Sequence, residues 1–448
     1  LIAQNKHDEA AKVAHAIAGI LSLLISTLVL VGIIITPLLI TVIAPGFEGQ
    51  KRELTITLVR ILFPGAGVLV FSAWCLGILN SHGKFFLSYS APVVWNVVII
   101  ITLILFGDSS SQDELAKYAA AGSVIGSLMQ LLMQLPVVIG ILHHIKLSLT
   151  VKTNEVKTIL KNFVPVFISR GVVQISAYID ALLASLLPTG ALAGLSYAQT
   201  LYMLPISLFG MSVSAAELPA MSKVSGNTSD VAKGLQKRIN NSIKRIAFYI
   251  VPSTVGFFIL GDCIVAAIYQ TGKFTTRDTF FVWMVLAGST VGLFATTQSR
   301  LFSSAFYAMH DTKTPLKCAL IRVALSSTLG YCASQYAPYF LHINTLYGTV
   351  GITVASGLSG WVEYRMLRYT LSKVVGKVTL GKRYIVSLWI CALIAAGVAY
   401  SIKSMLHYHP ITIALIVLSL YGIIYFALSL LFKIDEMKNL LSMIGIKK

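Results

Sequence analysis

The sequence predicts an all-α polytopic membrane protein, and three observations carry that reading. Of 448 residues, 56% are apolar and only 12% are charged, about half the charged share of a soluble domain. Apolar runs of spanning length recur along the whole chain. Basic residues between those runs alternate between dense and sparse. A spanning helix takes about 20 residues, or roughly 35 with its loop, so the length allows about 12 or 13 spans. This composition excludes a soluble enzyme, a disulfide scaffold and a disordered tail. The net charge of +18 is explained by orientation in a membrane, so no nucleic-acid partner is expected.

The runs fall at 13–44, 54–80, 87–106, 115–142, 158–187, 192–221, 243–269, 278–306, 316–337, 346–370, 384–405 and 410–432, which makes twelve expected helices. The first exceeds what a straight span needs and calls for tilt or a kink at Pro37. Pro64, Pro136, Pro165, Pro205 and Pro252 also lie inside expected spans. A helix bundle tolerates them when neighbouring groups satisfy the carbonyls that each proline frees.

Loop charges set the orientation. Twenty Lys and Arg residues fall on one alternate set of loops, among them Lys6, Lys84, Lys237, Arg238, Lys377 and Lys448. Four fall on the other set: Lys51, Arg52, Lys273 and Arg277. The bias puts both termini in the cytoplasm.

The chain also repeats itself. Ile43-Ala-Pro-Gly-Phe47 and Ile268-Tyr-Gln-Thr-Gly-Lys-Phe274 each end a run, and Phe274 follows Phe47 by 227 residues. Leu79-Asn-Ser-His-Gly-Lys84 and Ala308-Met-His-Asp-Thr-Lys313 are polar turns one span later, at an offset of 229. Duplicated halves are the architecture of transporters that rock about a shared site. Runs 158–187 and 192–221 precede the second copy and have no counterpart ahead of the first. The repeat therefore predicts two further N-terminal helices, about 70 residues, and fourteen helices in all. On this plan residues 1–142 form an N-terminal lobe without its first two helices, 158–373 a C-terminal lobe, and 374–448 a terminal helix pair with a cytoplasmic tail.

Six stretches resemble the MurJ/MviN lipid II flippases of the multidrug/oligosaccharidyl-lipid/polysaccharide exporter superfamily. They are Ala44-Pro-Gly-Phe47, Leu54-Thr-Ile-Thr-Leu-Val-Arg-Ile-Leu-Phe-Pro64, Gly77-Ile-Leu-Asn-Ser81, Ala91-Pro-Val-Val-Trp-Asn96, Gly272-Lys-Phe-Thr275 and Phe306-Tyr-Ala-Met-His-Asp-Thr-Lys-Thr-Pro315. The last is the most specific. The resemblance implies movement of the undecaprenyl-pyrophosphate-linked peptidoglycan precursor, lipid II, between the leaflets of a bacterial cytoplasmic membrane. Such a substrate needs cations for its pyrophosphate, for which arginine is suited, and a lipid-facing opening for its tail. Two departures stand out. The family's arginines on its first two helices have no counterpart, and Tyr197-Ala-Gln-Thr200 replaces the Asp-Arg pair that commonly follows Tyr-Ala.

An ionisable residue inside a span is a functional candidate by default. Arg170 and Asp180 share the 158–187 run, about 15 Å apart along a helix, too far for a direct pair. Two readings stand for them and for Gln174 beside them: lining an aqueous cavity, or pairing between helices. Asp180 is also the candidate for a coupling cation, either sodium or a proton. Ser196, Gln199, Met203, Ser207, Gly210, Ser214 and Glu217 recur at spacings of three and four, which keeps them on one face. That face reads as a small-residue packing seam or a cavity wall, and Ser123, Ser127, Gln130 and Gln134 form a similar stripe. Arg60, Arg300 and Arg322 lie near span ends and read as snorkelling groups, with Arg60 and Arg300 also kept as cavity candidates. Glu363 and Arg365 are expected at the headgroups.

No nucleotide, zinc-hydrolase or serine-hydrolase motif is present. Cys75, Cys263, Cys318, Cys332 and Cys391 show no metal or disulfide spacing. The chain reads as a transporter and not an enzyme, without cofactor or metal. Its expected partners are lipid II, membrane lipids, a coupling cation or the membrane potential, and cell-wall synthesis proteins. The alternatives are an exporter of polysaccharide-lipid or drugs from the same superfamily, and a non-transporting scaffold.

Overall fold

A computed structural model of the chain describes residues 7–108, 110–142, 174–222, 228–309 and 311–443, and all regular structure among them is helical. Contacts divide the chain into two compact units, Leu1–Val172 and Val173–Lys448. Nine helices among the described residues are long and apolar enough to cross a membrane, so the chain is a multi-pass membrane protein.

The first unit holds α1 (His7–Ile43), α2 (Gly49–Ser81), α3 (Phe85–Phe106) and α4 (Gln112–Leu142). Helices α3 and α4 approach closely because Gly126 has no side chain: a Cβ there would sit 2.7 Å from the Trp95 ring and 2.9 Å from its backbone oxygen. The Trp95 indole then donates to the Ser123 carbonyl at 3.0 Å. Helices α2 and α4 join through a buried polar chain, in which Gln130 Nε2 donates to Ser72 Oγ (2.7 Å) and Ser72 Oγ to Gln134 Oε1 (2.8 Å). The stripe of Ser123, Ser127, Gln130 and Gln134 thus faces other helices. One end of each amide is paired across the α2–α4 contact, while Gln130 Oε1 and Gln134 Nε2 are buried without a partner among the described residues.

The second unit opens with α5, described over 174–185, and α6 (Ala191–Pro205). A π-helical segment, Ile206–Met211, leads into α7 (Ser212–Ser222). Next come α8 (Thr228–Ile259), α9 (Gly261–Tyr269), α10 (Thr276–Ala308), α11 (Lys313–Phe340) and α12 (Gly348–Val375). The chain ends on α13 (Lys382–Lys403), α14 (Pro410–Leu431) and α15 (Asp435–Met443). Helix α10 is the buried axis of this unit. It crosses α12 backbone to backbone, since a Cβ on Gly292 would lie 2.4 Å from Gly357 Cα. Helix α12 is long enough to span but carries Glu363, Arg365 and Arg368. Of these, Glu363 is buried, Arg368 half-buried and Arg365 exposed.

The repeat is visible in the helix ends. Helices α2 and α10 are both 33 residues long, and Gly49 and Thr276 start them 227 positions apart. The turn before each closes identically: Phe47 N donates to Ala44 O and Phe274 N to Thr271 O, both at 3.0 Å. After each helix an amide reaches back five residues, Lys84 to Leu79 and Asp311 to Phe306, both at 2.9 Å. The structural register is therefore 227 throughout, and the 229 offset expected for the second turn is corrected by the caps. Asp311 also starts α11, where its Oδ1 accepts from Lys313 N and Thr314 N (3.0 Å each) and its Oδ2 from the Thr314 hydroxyl (2.6 Å). These donors hold the Asp311 carboxyl below the usual carboxylate range, and they explain the Asp-Thr-Lys-Thr-Pro signature as a helix cap.

Some interior prolines are answered by side chains from neighbouring helices. A proline at position i leaves the carbonyl of i−4 without its helical donor. Pro252 frees the Phe248 carbonyl, and the Tyr425 hydroxyl of α14 donates to it at 2.6 Å. Tyr421 donates to the Pro252 carbonyl itself at 2.7 Å. These two bonds fasten the terminal pair to α8.

Two outcomes are expected. Tyr425→Phe should lower stability by about 1–3 kcal/mol, the cost of an unmet buried acceptor. Adding Pro252→Ala should recover most of that loss by restoring the ladder N–H, as read by thermal unfolding in detergent. Gly292→Ala should sharply reduce the yield of folded protein, whereas Gly77→Ala, whose Cβ meets open space, should leave it unchanged.

Candidate functional site

Within the second unit, five helices converge on a cluster of ionisable and polar groups. Helix α10 presents Thr296 and Arg300 one turn apart. Gly360 of α12 leaves room for Thr296, since a Cβ there would lie 3.0 Å from its hydroxyl. Helix α6 supplies Tyr202, whose hydroxyl bonds Thr296 and which lies in the field of Arg300, Arg322 and Asp180. Arg322 of α11 pairs with Glu363 of α12, Nη1 to Oε2 at 3.3 Å. Asp180 of α5 is only 9% exposed, with Arg322 as a charged neighbour. The formal charges cancel, two carboxylates against two guanidiniums.

This corrects two expectations. Glu363 is 7% exposed and is not a headgroup residue, and Arg322 does not snorkel. The carboxylate one helix away captures the guanidinium, because leaving either charge alone at that burial costs more than pairing them. The candidate cation at Asp180 also has a rival, since a tethered guanidinium already contributes positive charge there. Arg300 is half-buried, with its Nε enclosed and without an acceptor among the described residues.

The remaining candidates disperse. Arg170 lies outside the described residues. Gln174 is exposed on α5, and Gln199 is half-buried on α6. The expected seam does not hold to one face: Ser196 and Ser207 are exposed, while Gly210 and Ser214 are buried. The cause is the π segment, whose wider turn rotates the helix after Pro205 relative to the part before it. Gly210 then packs on Thr297, where a Cβ would sit 2.4 Å from the Thr297 methyl. Ser214 Oγ is buried without a partner among the described residues.

In the first unit, Arg60 is exposed but does not snorkel. Its Nε–H donates to the Ile33 carbonyl of α1 at 3.2 Å, and Ile33 is the residue four before Pro37. Arg52 reaches the same stretch from one end, donating through Nη2 to the Pro37 carbonyl (3.3 Å) and the Thr41 hydroxyl (3.2 Å). Tyr202, Thr296 and the Arg322–Glu363 pair were not among the expected site residues. Arg322 and Glu363 were both legible as charges inside spans; their pairing was not.

Comparison with known proteins agrees with this architecture. The family described as "Lipid II flippase MurJ" matches residues 2–419. A probable lipid II flippase MurJ of Rickettsia prowazekii (strain Madrid E) is 30% identical over 350 residues, covering 78% of this chain and 66% of that protein. One from Rhizobium tropici is 31% identical over 381 residues, covering 83% and 68%. The chain thus spans about two thirds of the length of these relatives. A solved lipid II flippase MurJ in an inward closed conformation superposes with a TM-score of 0.77 at 26% identity, over 95% of this chain and 85% of that one. An inward-facing multidrug-resistance transporter of the MATE family shares the fold at a TM-score of 0.63 and 20% identity. With the family match running over nearly the whole chain, this protein belongs to the MurJ lipid II flippase family.

Proposed function

We propose that the chain moves lipid II from the inner to the outer leaflet of a bacterial cytoplasmic membrane by alternating access, supplying precursor for the cell wall. The family match from residue 2 to residue 419 carries this reading. The chemistry of the described residues supports it. Lipid II couples a pyrophosphate to a long apolar tail, so its carrier needs cations within an otherwise apolar span; Arg60 offers one, and Arg300, whose Nε has no acceptor among the described residues, a second. Polar side chains exposed on α5, α6 and the π segment, namely Gln174, Ser196 and Ser207, suit a wet path for the headgroup. The repeat-related units are the bodies expected to move.

The loop bias of twenty to four places both ends of the chain in the cytoplasm on this reading. The energy comes from a membrane potential or a cation gradient, and cell-wall synthesis proteins are the natural neighbours. The family is one of transporters, so no catalysed chemical step is involved. An exporter of drugs or polysaccharide-lipid has fold-level likeness behind it, at 20% identity, and is the weaker reading.

Expression of the chain, with any upstream coding sequence, should restore growth to a bacterial strain depleted of its own lipid II flippase. Failure at normal membrane levels would oppose the reading. Gln174→Cys should react with a membrane-impermeant maleimide; a fully protected thiol would remove Gln174 from the aqueous path.

A further inference from the structure

The contact between Arg60 and α1 joins two features that look unrelated in the sequence. Pro37 has no N–H, so the Ile33 carbonyl loses its helical donor. Arg60 Nε–H supplies a donor at 3.2 Å. Ile33 lies ten residues from the end of α1 at Ile43, and Arg60 eleven residues from the start of α2 at Gly49. Both positions are about 15 Å along their helices. The side chain is therefore held laterally at depth and does not run toward a helix end. It makes no other hydrogen bond or ion pair among the described residues, and it is exposed, so both terminal nitrogens of the guanidinium are free.

A guanidinium has five N–H donors in a rigid plane. With Nε fixed on a carbonyl, the plane and direction of the two terminal NH2 groups are set before any ligand arrives. That edge matches two oxygens of a phosphate group. Preorganisation of this kind lowers the ordering cost of binding. An exposed cation at this depth in a spanning helix is otherwise expensive, and an anionic ligand or water must answer it. Lysine could supply the charge but not the geometry, because one ammonium cannot hold the carbonyl and present a planar edge together.

We infer that Pro37 positions Arg60, through the freed Ile33 carbonyl, to receive a phosphate of the substrate's pyrophosphate. Pro37 is a positioning residue and Arg60 a binding residue. The inference rests on the lipid II reading and deepens it. It predicts a specific vulnerability: Pro37→Ala removes no charge and favours the helix, yet it gives Ile33 back its ladder donor and loosens the guanidinium.

The test uses purified protein in proteoliposomes, with flipping measured across lipid II concentrations, and thermal unfolding measured separately with inorganic pyrophosphate and with orthophosphate. Pro37→Ala and Arg60→Lys should each raise the half-saturating lipid II concentration about tenfold, the equivalent of one charge-assisted hydrogen bond. Maximal flipping should be nearly retained, and unfolding temperatures without ligand should match or exceed wild type for Pro37→Ala. Pyrophosphate should stabilise the wild type more than either variant. If Arg60→Ala flips with wild-type concentration dependence, or if Pro37→Ala does so, the inference is overturned. If the wild type does not flip lipid II but pyrophosphate still separates it from both variants, the positioning stands and the transport reading falls. Equal stabilisation of all forms by pyrophosphate would overturn the positioning.

Discussion

Helix α10 can serve as the buried axis of the second unit only because its backbone touches that of α12 at Gly292 and Gly357. The close approach stacks the rest of the unit around one line. Gly288 faces Thr353 and Val350 on the same contact, Thr353 donates to the Val285 carbonyl at 3.1 Å, and Trp361 donates to the Val291 carbonyl at 2.7 Å. In lipid there is no hydrophobic force between helices, so close packing and hydrogen bonds must hold them together. The same crossing brings Thr296 against Gly360 and carries Arg300 and Glu363 toward Arg322. The charged cluster is a consequence of the glycine contact.

A second constraint shapes both units: inside a membrane a freed carbonyl or a charge is costly unless something answers it. Pro252 is answered by Tyr425, Pro37 by Arg60, and Glu363 by Arg322. In each case the donor comes from another helix, so satisfying a local defect also builds a tertiary contact. Near the other end of α13, Lys403 pairs with Asp262 of α9, which fastens α13 to that helix. One of these donors, Arg60, combines structural contact with a charge suited to an anionic substrate.

Much of the fold was legible in the sequence because membrane helices advertise themselves by composition. The repeat is legible at Phe47 and Phe274, and the Asp311 motif stands out by its residues although its capping bonds do not. What the sequence could not show were the features that depend on phase and partner. A π segment at Ile206–Met211 leaves the spacing of Ser196 to Ser214 unchanged while rotating its halves apart. Helix α12 is expected from the 346–370 run, but the burial of Glu363 within it is not. Glu363 and Arg322, separated by 41 residues, become one group only when α11 and α12 pack. Arg60 reads as a snorkelling residue until the carbonyl freed by Pro37 is seen beside it.

The role proposed for this chain is to carry lipid II across the membrane. Its most direct test is transbilayer movement of fluorescent lipid II in proteoliposomes, followed by the fraction of dye that an impermeant reductant can quench over time. A lipid II carrier gives protein-dependent exchange of lipid II between leaflets, with no comparable movement of a fluorescent phospholipid and no uptake of a cationic dye. Dye uptake without lipid II movement would contradict it.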